Sequence, residues 1–376
     1  MARQRTLFIV PALLRAGAET QIVQLVNGLS GEFFEKHLLS YLPQDDLLSS
    51  VDDSSVVYHR VRRQSKVDLA AARDIGKVID EQQIDVVHCT LEHALLYGTL
   101  ATAFATRKPI FICAIHSTAQ TDFKHRLADA FLYRHLLKRC TQVWFMCQSQ
   151  ADLWIERMPF LAERSKVIYN GVKIDEFDPA NFKNAGANFL AQLGIPAKSK
   201  ITCSVAGLRA EKYHDVLIRA FARFLDDCEG DHYLLLAGSG EMETSLRQLA
   251  QQLELESRVI FVGELADVRP LLSAAHCKVL ASAAETFSMA MLEAMAMQVP
   301  VVCTRVGGAG EAIHDRESGL LVTPGRVQEL ADCLSWLLAD ESRRRRIGRA
   351  GRKVVSENFS YGNMVRNSHD CLVEIA

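Results

Sequence analysis

The feature that most constrains this chain is a sustained alternation of short apolar runs with segments whose apolar residues recur at helical spacing. In the first half the apolar runs lie at 6–13, 36–42, 55–61, 86–89, 110–115, 143–146 and 166–172. Helical patterns occupy 20–29, 69–81, 93–105 and 123–138 between them. Strands buried on both faces read as continuous apolar runs, so this order predicts a parallel, doubly wound α/β sheet. The second half repeats the alternation without a detectable sequence repeat. Strands are expected at 201–208, 233–237, 259–262, 278–281 and 301–306. Helices are expected at 215–225, 243–253, 268–275, 328–338 and 343–357, with a helical tail at 361–375. A chain of 376 residues that is 49% hydrophobic fills two cores. The polar stretch 174–189, IDEFDPANFKNAGANF, reads as the linker between them. The expected domains are 1–172 and 173–355.

Bulk properties exclude several classes. A net charge of −2 gives no pull toward nucleic acid. The ten cysteines form no C-x-x-C pair, which predicts reduced core thiols and a cytoplasmic location. The N-terminal MARQRTLFIVPALL is basic and then apolar, but Pro11 and Arg15 break it early, so a first β-strand is predicted rather than an export signal. The segment 123–139 sets Lys124, Arg126, Arg134, Lys138 and Arg139 among Phe131, Leu132, Leu136 and Leu137. It fits either a peripheral contact with an anionic membrane or an ordinary solvated helix.

The densest chemistry lies in 285–300, ETFSMAMLEAMAMQVP. A helix starting near Ser288 leaves its first amides unpaired and favours an anion such as a diphosphate. Glu285 precedes that helix start and Glu293 lies inside the helix, both suited to accept hydrogen bonds from sugar hydroxyls. The turn after the 201–208 strand carries Gly207, Arg209 and Lys212, where two cations can clamp a diphosphate. Gly238 and Gly240 make a glycine turn suited to close approach of a nucleotide, and Gly307-Gly308 another that suits approach of a sugar. His116 ends the 110–115 strand and is a candidate substrate contact, with His88 a second on the acceptor side. No Asp-x-Asp and no His/Cys cluster at ligand spacing occurs, so neither a metal nor another cofactor is expected.

Taken in order, Gly17-Ala-Glu19, His116, Asn170-Gly171, Gly207 with Arg209-x-x-Lys212, Gly238-x-Gly240 and the Glu285-x7-Glu293 spacing resemble the retaining glycosyltransferases of family 4. The resemblance spans nearly the whole chain. It implies the GT-B fold, two Rossmann-like domains facing a central cleft. It also implies a metal-independent transfer from a nucleotide-sugar, most often a UDP-sugar, to a glycan or lipid-linked acceptor in polysaccharide or glycolipid synthesis. Gly17 would lie against the donor diphosphate, and Arg209 and Lys212 would stabilise it as leaving group. Glu285 would meet the sugar hydroxyls, Glu293 the ribose, and His116 the sugar near the scissile bond. The amides of Phe287, Ser288 and Met289 would cap the phosphate, and 356–376 would cross back onto the first domain. Four positions depart from the family pattern. Ala16, Thr286 with Ser288, and Gln298 stand where glycines are common, and a left-handed Gln298 would cost roughly 1 kcal/mol. A nucleotide-sugar epimerase on the same fold is the alternative, separable by product analysis without acceptor. A Rossmann oxidoreductase lacks its G-x-G-x-x-G fingerprint.

Overall fold

The computed structural model describes residues 3–65, 67–116 and 132–375. The chain divides into two compact units, Met1–Asn170 with Tyr361–Ala376, and Gly171–Ser360.

Among the described residues, the first unit is built on seven parallel strands, β1 (Gln4–Val10), β2 (Phe34–Ser40), β3 (Val56–Arg60), β4 (Val86–Thr90), β5 (Ile110–Ile115), β6 (Gln142–Phe145) and β7 (Ser165–Val167). Their order is β3-β2-β1-β4-β5-β6-β7, so winding reverses between β1 and β4. β4 is buried throughout, as expected where helices cover both faces of a sheet. Leu7, Ile9, Ile75, Val87, Leu95 and Phe145 sit in one apolar core on this sheet. The last helix, Tyr361–Glu374, returns to this unit. Tyr361 donates its hydroxyl to the Gln24 carbonyl at 3.2 Å, and Lys166 pairs with Glu374 at 2.9 Å. Gly28 admits this helix, since a Cβ there would stand 2.2 Å from the Tyr361 hydroxyl.

The second unit carries six parallel strands, β8 (Lys200–Val205), β9 (His232–Ala237), β10 (Val259–Gly263), β11 (Cys277–Leu280), β12 (Val301–Thr304) and β13 (Leu320–Val322). Their order is β10-β9-β8-β11-β12-β13, so the switch point lies between β8 and β11. In such sheets ligands bind beyond the carboxyl ends of the strands at that point.

Several expectations require correction. The strand predicted at 166–172 ends at Val167. Ile168 still donates to the Phe145 carbonyl at 2.8 Å, but Val172 bridges to Ser360 instead, within the second unit. The stretch 174–189 is folded into the second unit rather than being a free linker. It forms the turn Pro179–Phe182 and the start of the helix Ala185–Gln192. Distant side chains satisfy its backbone: Arg352 donates to the Phe177 carbonyl at 2.7 Å and Ser273 to that of Phe182 at 2.7 Å. The first helix starts at Gly17, three residues earlier than its apolar periodicity indicates. The helix Glu341–Asn358 runs through Ser356, and the break between units follows at Ser360. β13 and the helix Gln148–Arg157 were not anticipated. Much of 123–139 lies outside the described residues; within it Arg134–Leu137 is helical. All ten cysteines are free thiols.

Candidate active site

The switch point of the second sheet collects the charged residues that the sequence singled out. After β8 the chain turns at Gly207, forms the short 3₁₀ turn Ala210–Lys212, and reaches Tyr213. Tyr213 is left-handed, at φ +49° and ψ +43°. A large side chain in that region is strained, and such strain persists only where surrounding contacts impose it. The consequence is a sharp corner that places Lys212 against the loop following β11. Its Nζ stands 2.7 Å from Glu285 Oε1, with the two side chains 13% and 16% exposed. Ser282 donates its hydroxyl to the same oxygen at 2.9 Å. A carboxylate has about four lone-pair sites, and both bonds fall on a single oxygen, Oε1.

Backbone contacts brace this pair on three sides. Ala283 donates to the Glu211 carbonyl at 2.8 Å, which joins the two loops directly. Thr304, at the end of β12, donates its hydroxyl to the Ser282 carbonyl at 2.6 Å. Gly307 has φ +51°, and a Cβ there would lie 2.1 Å from the Glu285 carbonyl oxygen. The close approach anticipated at Gly307-Gly308 is therefore made to the protein's own loop, and Gly308 donates to the Thr286 carbonyl at 2.8 Å. The same holds at Gly238 and Gly240. A Cβ at these positions would stand 2.1 Å from the Ala206 carbonyl oxygen and 2.4 Å from that of Leu208. These glycines let the loops after β8 and β9 pack together. Gly207 has no such constraint: the nearest atom to a Cβ would be Arg209 Nε at 3.5 Å. Arg209 itself is exposed and pairs with Glu211 at 3.0 Å, apart from the Lys212 pair.

The acid-bearing helix spans Met289–Ala296, with Ser288 at its cap accepting from the Met291 amide at 3.3 Å. Serine is a favoured N-cap, and here its side chain satisfies one of the first amides of the helix. The Phe287 side chain is buried and packs on Phe359, ring centroids 5.0 Å apart. Met289 is the first helical residue. Glu293 is partly buried, and burial raises its carboxyl above the ordinary range while Lys278 opposes the rise. Lys278 is the residue sequence reasoning missed. It lies in β11, in a run read as simply apolar, and its side chain is fully buried. The only signal was a lone lysine in an apolar strand leading into the acid motif. Gln298 is left-handed at φ +59°, as anticipated.

In the first unit, Gly17 opens the helix Gly17–Gly28, whose first turn holds the buried Glu19. His116 directly follows β5 and is partly buried, with burial pushing its imidazole down to about 4. It lines a cavity of about 30 Å³ together with His88, Trp144, Asn170 and Ser368. The acceptor contact considered for His88 is not supported. His88 is 1% exposed and packed between Phe8 and Trp144, at 5.3 and 4.9 Å. Burial and then His116 hold it down at about 3, so it is a neutral core residue. Among the described residues, no group of three or more His, Cys, Asp or Glu side chains is placed to hold a metal ion.

Family models for "Glycosyltransferase Family 4" and "Glycosyl transferases group 1" match residues 15–176 and 187–354. The N-acetyl-alpha-D-glucosaminyl L-malate synthase of Bacillus anthracis is 30% identical over 297 residues, 78% of this chain and 75% of that protein. The chain belongs to the family 4 glycosyltransferases. A lipopolysaccharide core biosynthesis glycosyltransferase of Rhizobium meliloti, LpsE, is 34% identical over 170 residues, 45% of this chain and 48% of the relative. The crystal structure of Anabaena HepE in complex with UDP-glucose superimposes with a TM-score of 0.87 at 22% identity. That match covers 99% of this chain and 100% of HepE, and it establishes the GT-B fold. The chain is thus a glycosyltransferase whose relatives include an enzyme of lipopolysaccharide core synthesis. Among the described residues, no helix is long and apolar enough to cross a membrane.

Proposed function

We propose that this enzyme is a retaining, metal-independent glycosyltransferase that moves a sugar from a UDP-sugar to a glycan or lipid-linked acceptor. The observation that carries the reading is the Lys212–Glu285 pair, at 2.7 Å beyond the carboxyl ends of β8 and β11, beside the start of the Met289–Ala296 helix. It sets a cation, a carboxylate and the N-terminus of a helix at one edge of the sheet. A sugar diphosphate presents the complementary groups: an anion for the cation and amides, and hydroxyls for the carboxylate. The UDP-glucose bound by HepE and the lipopolysaccharide core pathway of LpsE support the donor and acceptor classes.

In this reading Lys212, Arg209 and the helix start hold the diphosphate and stabilise the charge that develops on it. The bond from the anomeric carbon to the leaving oxygen breaks with its electron pair going to the diphosphate. The acceptor hydroxyl attacks the same face of the sugar, and its proton passes to the leaving phosphate oxygen, so the anomeric configuration is kept. Glu285 orients the sugar hydroxyls, and Glu293 binds the ribose. The Phe287, Ser288 and Met289 amides, with Gly207, complete the donor contacts, and Gly238 and Gly240 hold the loops beside them together. His116 and Gly17 are assigned donor contacts on the family pattern, His116 as a neutral imidazole at pH 7.

The reading is tested by thermal shift and hydrolysis against UDP-, GDP- and ADP-sugars, with EDTA present and absent. UDP-sugars should stabilise the protein by ligand linkage, hydrolysis should survive EDTA, and NMR of the released sugar should show the donor's anomeric configuration first. Stabilisation by none of the three, loss of turnover in EDTA, or initial release of the opposite anomer would each overturn the corresponding part.

A further inference from the structure

Lys278 occupies a place that a doubly wound sheet fills with an apolar side chain. It sits in the middle of β11, in register with Cys203 of β8 on one side and Val301 of β12 on the other. Its strand neighbours Cys277 and Val279 enter the apolar core. Because side chains alternate across a strand, Lys278 leaves by the opposite face. There its Nζ donates to the carbonyl of Ala290, in the first turn of the Met289–Ala296 helix. The charged and titratable groups that act on it are Cys203, Glu293, Cys303 and Glu285, from β8, the acid-bearing helix, β12 and the loop after β11.

Stability alone gives no reason for a lysine here. Burial lowers the Lys278 ammonium below the ordinary lysine range, so its charged form is held there at a cost. A positive charge beside the start of a helix also opposes the helix dipole. The carboxylate on that helix is Glu293, about one turn beyond the carbonyl that Lys278 holds.

We propose that Lys278 is a positioning residue, which ties β11 to the first turn of the acid-bearing helix and so sets the orientation of Glu293 toward the donor ribose. The inference rests on the donor reading above, in which Glu293 accepts from the ribose hydroxyls. Lys278 does not touch the donor; its effect reaches the nucleotide through Glu293.

The experiment measures by calorimetry the Kd of UDP and of its 2′,3′-dideoxy analogue for wild type, Lys278→Met and Lys278→Gln, with Tm recorded for each. Wild type should bind the analogue about tenfold more weakly than UDP, the scale of one charge-assisted hydrogen bond. Both variants, shown by Tm to be folded, should bind UDP about tenfold more weakly and lose the preference for the ribose hydroxyls. A merely structural lysine would not move that preference. A folded variant that keeps wild-type discrimination overturns the proposal, as does failure of both variants to fold, since the lysine would then serve folding. Wild type that does not bind UDP refutes the donor reading, and wild type blind to the ribose hydroxyls refutes the role of Glu293; either result removes this inference with it.

Discussion

Replacing Lys212 with alanine separates electrostatic catalysis from support of the loop. The Nζ–Oε1 separation of 2.7 Å corresponds to a gross attraction of roughly 6 kcal/mol at an effective dielectric constant of about 20. Most of that is offset by the desolvation of two side chains that are only 13% and 16% exposed. Truncation leaves Glu285 with the Ser282 hydroxyl as its remaining side-chain donor, a loss of about 1–3 kcal/mol in stability. The effect on catalysis is separate, because Lys212 is assigned to the diphosphate as its charge grows. Loss of such a donor lowers kcat by ~100-fold or more, equivalent to about 2.7 kcal/mol of transition-state stabilisation. Steady-state rates over a range of donor concentrations, with melting curves to confirm folding, give kcat and KM separately. A folded Lys212→Ala enzyme with kcat near wild type would refute the leaving-group role, whatever its stability.

Other perturbations test the parts that hold the site. Gly307→Ala should destabilise the protein by about 1–3 kcal/mol and lower activity by displacing the Glu285 loop, because its Cβ would stand 2.1 Å from a carbonyl at φ +51°. Gly310→Ala, with no atom within 4 Å of its Cβ, is the control in the same melting series, and equal losses in the two would reject the argument. Gln298→Gly should raise stability in urea by up to about 1 kcal/mol by relieving a left-handed side chain at φ +59°; a fall instead would show that the side chain contributes more than the strain removes. His116 and His214, each held near 4 by burial, and His88, held near 3, are neutral in the folded protein, while the unfolded chain takes up protons below about 6.5. The unfolded state therefore binds more protons in that window, and stability falls as pH drops from about 6.5 toward 4. The loss at pH 5 is at most about 2 kcal/mol per histidine, and a Tm unchanged between pH 7 and pH 5 would contradict it.

Much of the donor-side architecture was legible in the sequence because its signals are local. Continuous apolar runs mark strands covered on both faces, and Ser288 before MAMLEAMA marks the helix start. The Lys212 and Glu285 motifs follow strands whose order makes them neighbours. Long-range contacts were not legible. The stretch 174–189 looks like a linker because Asn, Asp, Pro and Gly favour turns, and only the Arg352 and Ser273 contacts show that it is fixed. β13 is three residues long and lacks enough periodicity to stand out. Gly238, Gly240 and Gly307 were recognised as positions of close approach. What approaches them is backbone from other loops, which spacing along the chain cannot reveal.

The sequence by itself determined the fold class, the two-sheet plan and the residue types at the candidate donor site, since hydrophobic period and motif spacing are properties of neighbours along the chain. Tertiary structure decided how the charges are shared. It paired Lys212 with Glu285 and left Arg209 to Glu211, it made His88 a core residue, and it set Lys278 beneath the helix that carries Glu293. The physical reason is that charge and burial depend on distance in space. β8, β11 and β12, far apart in sequence, become adjacent only when the sheet forms.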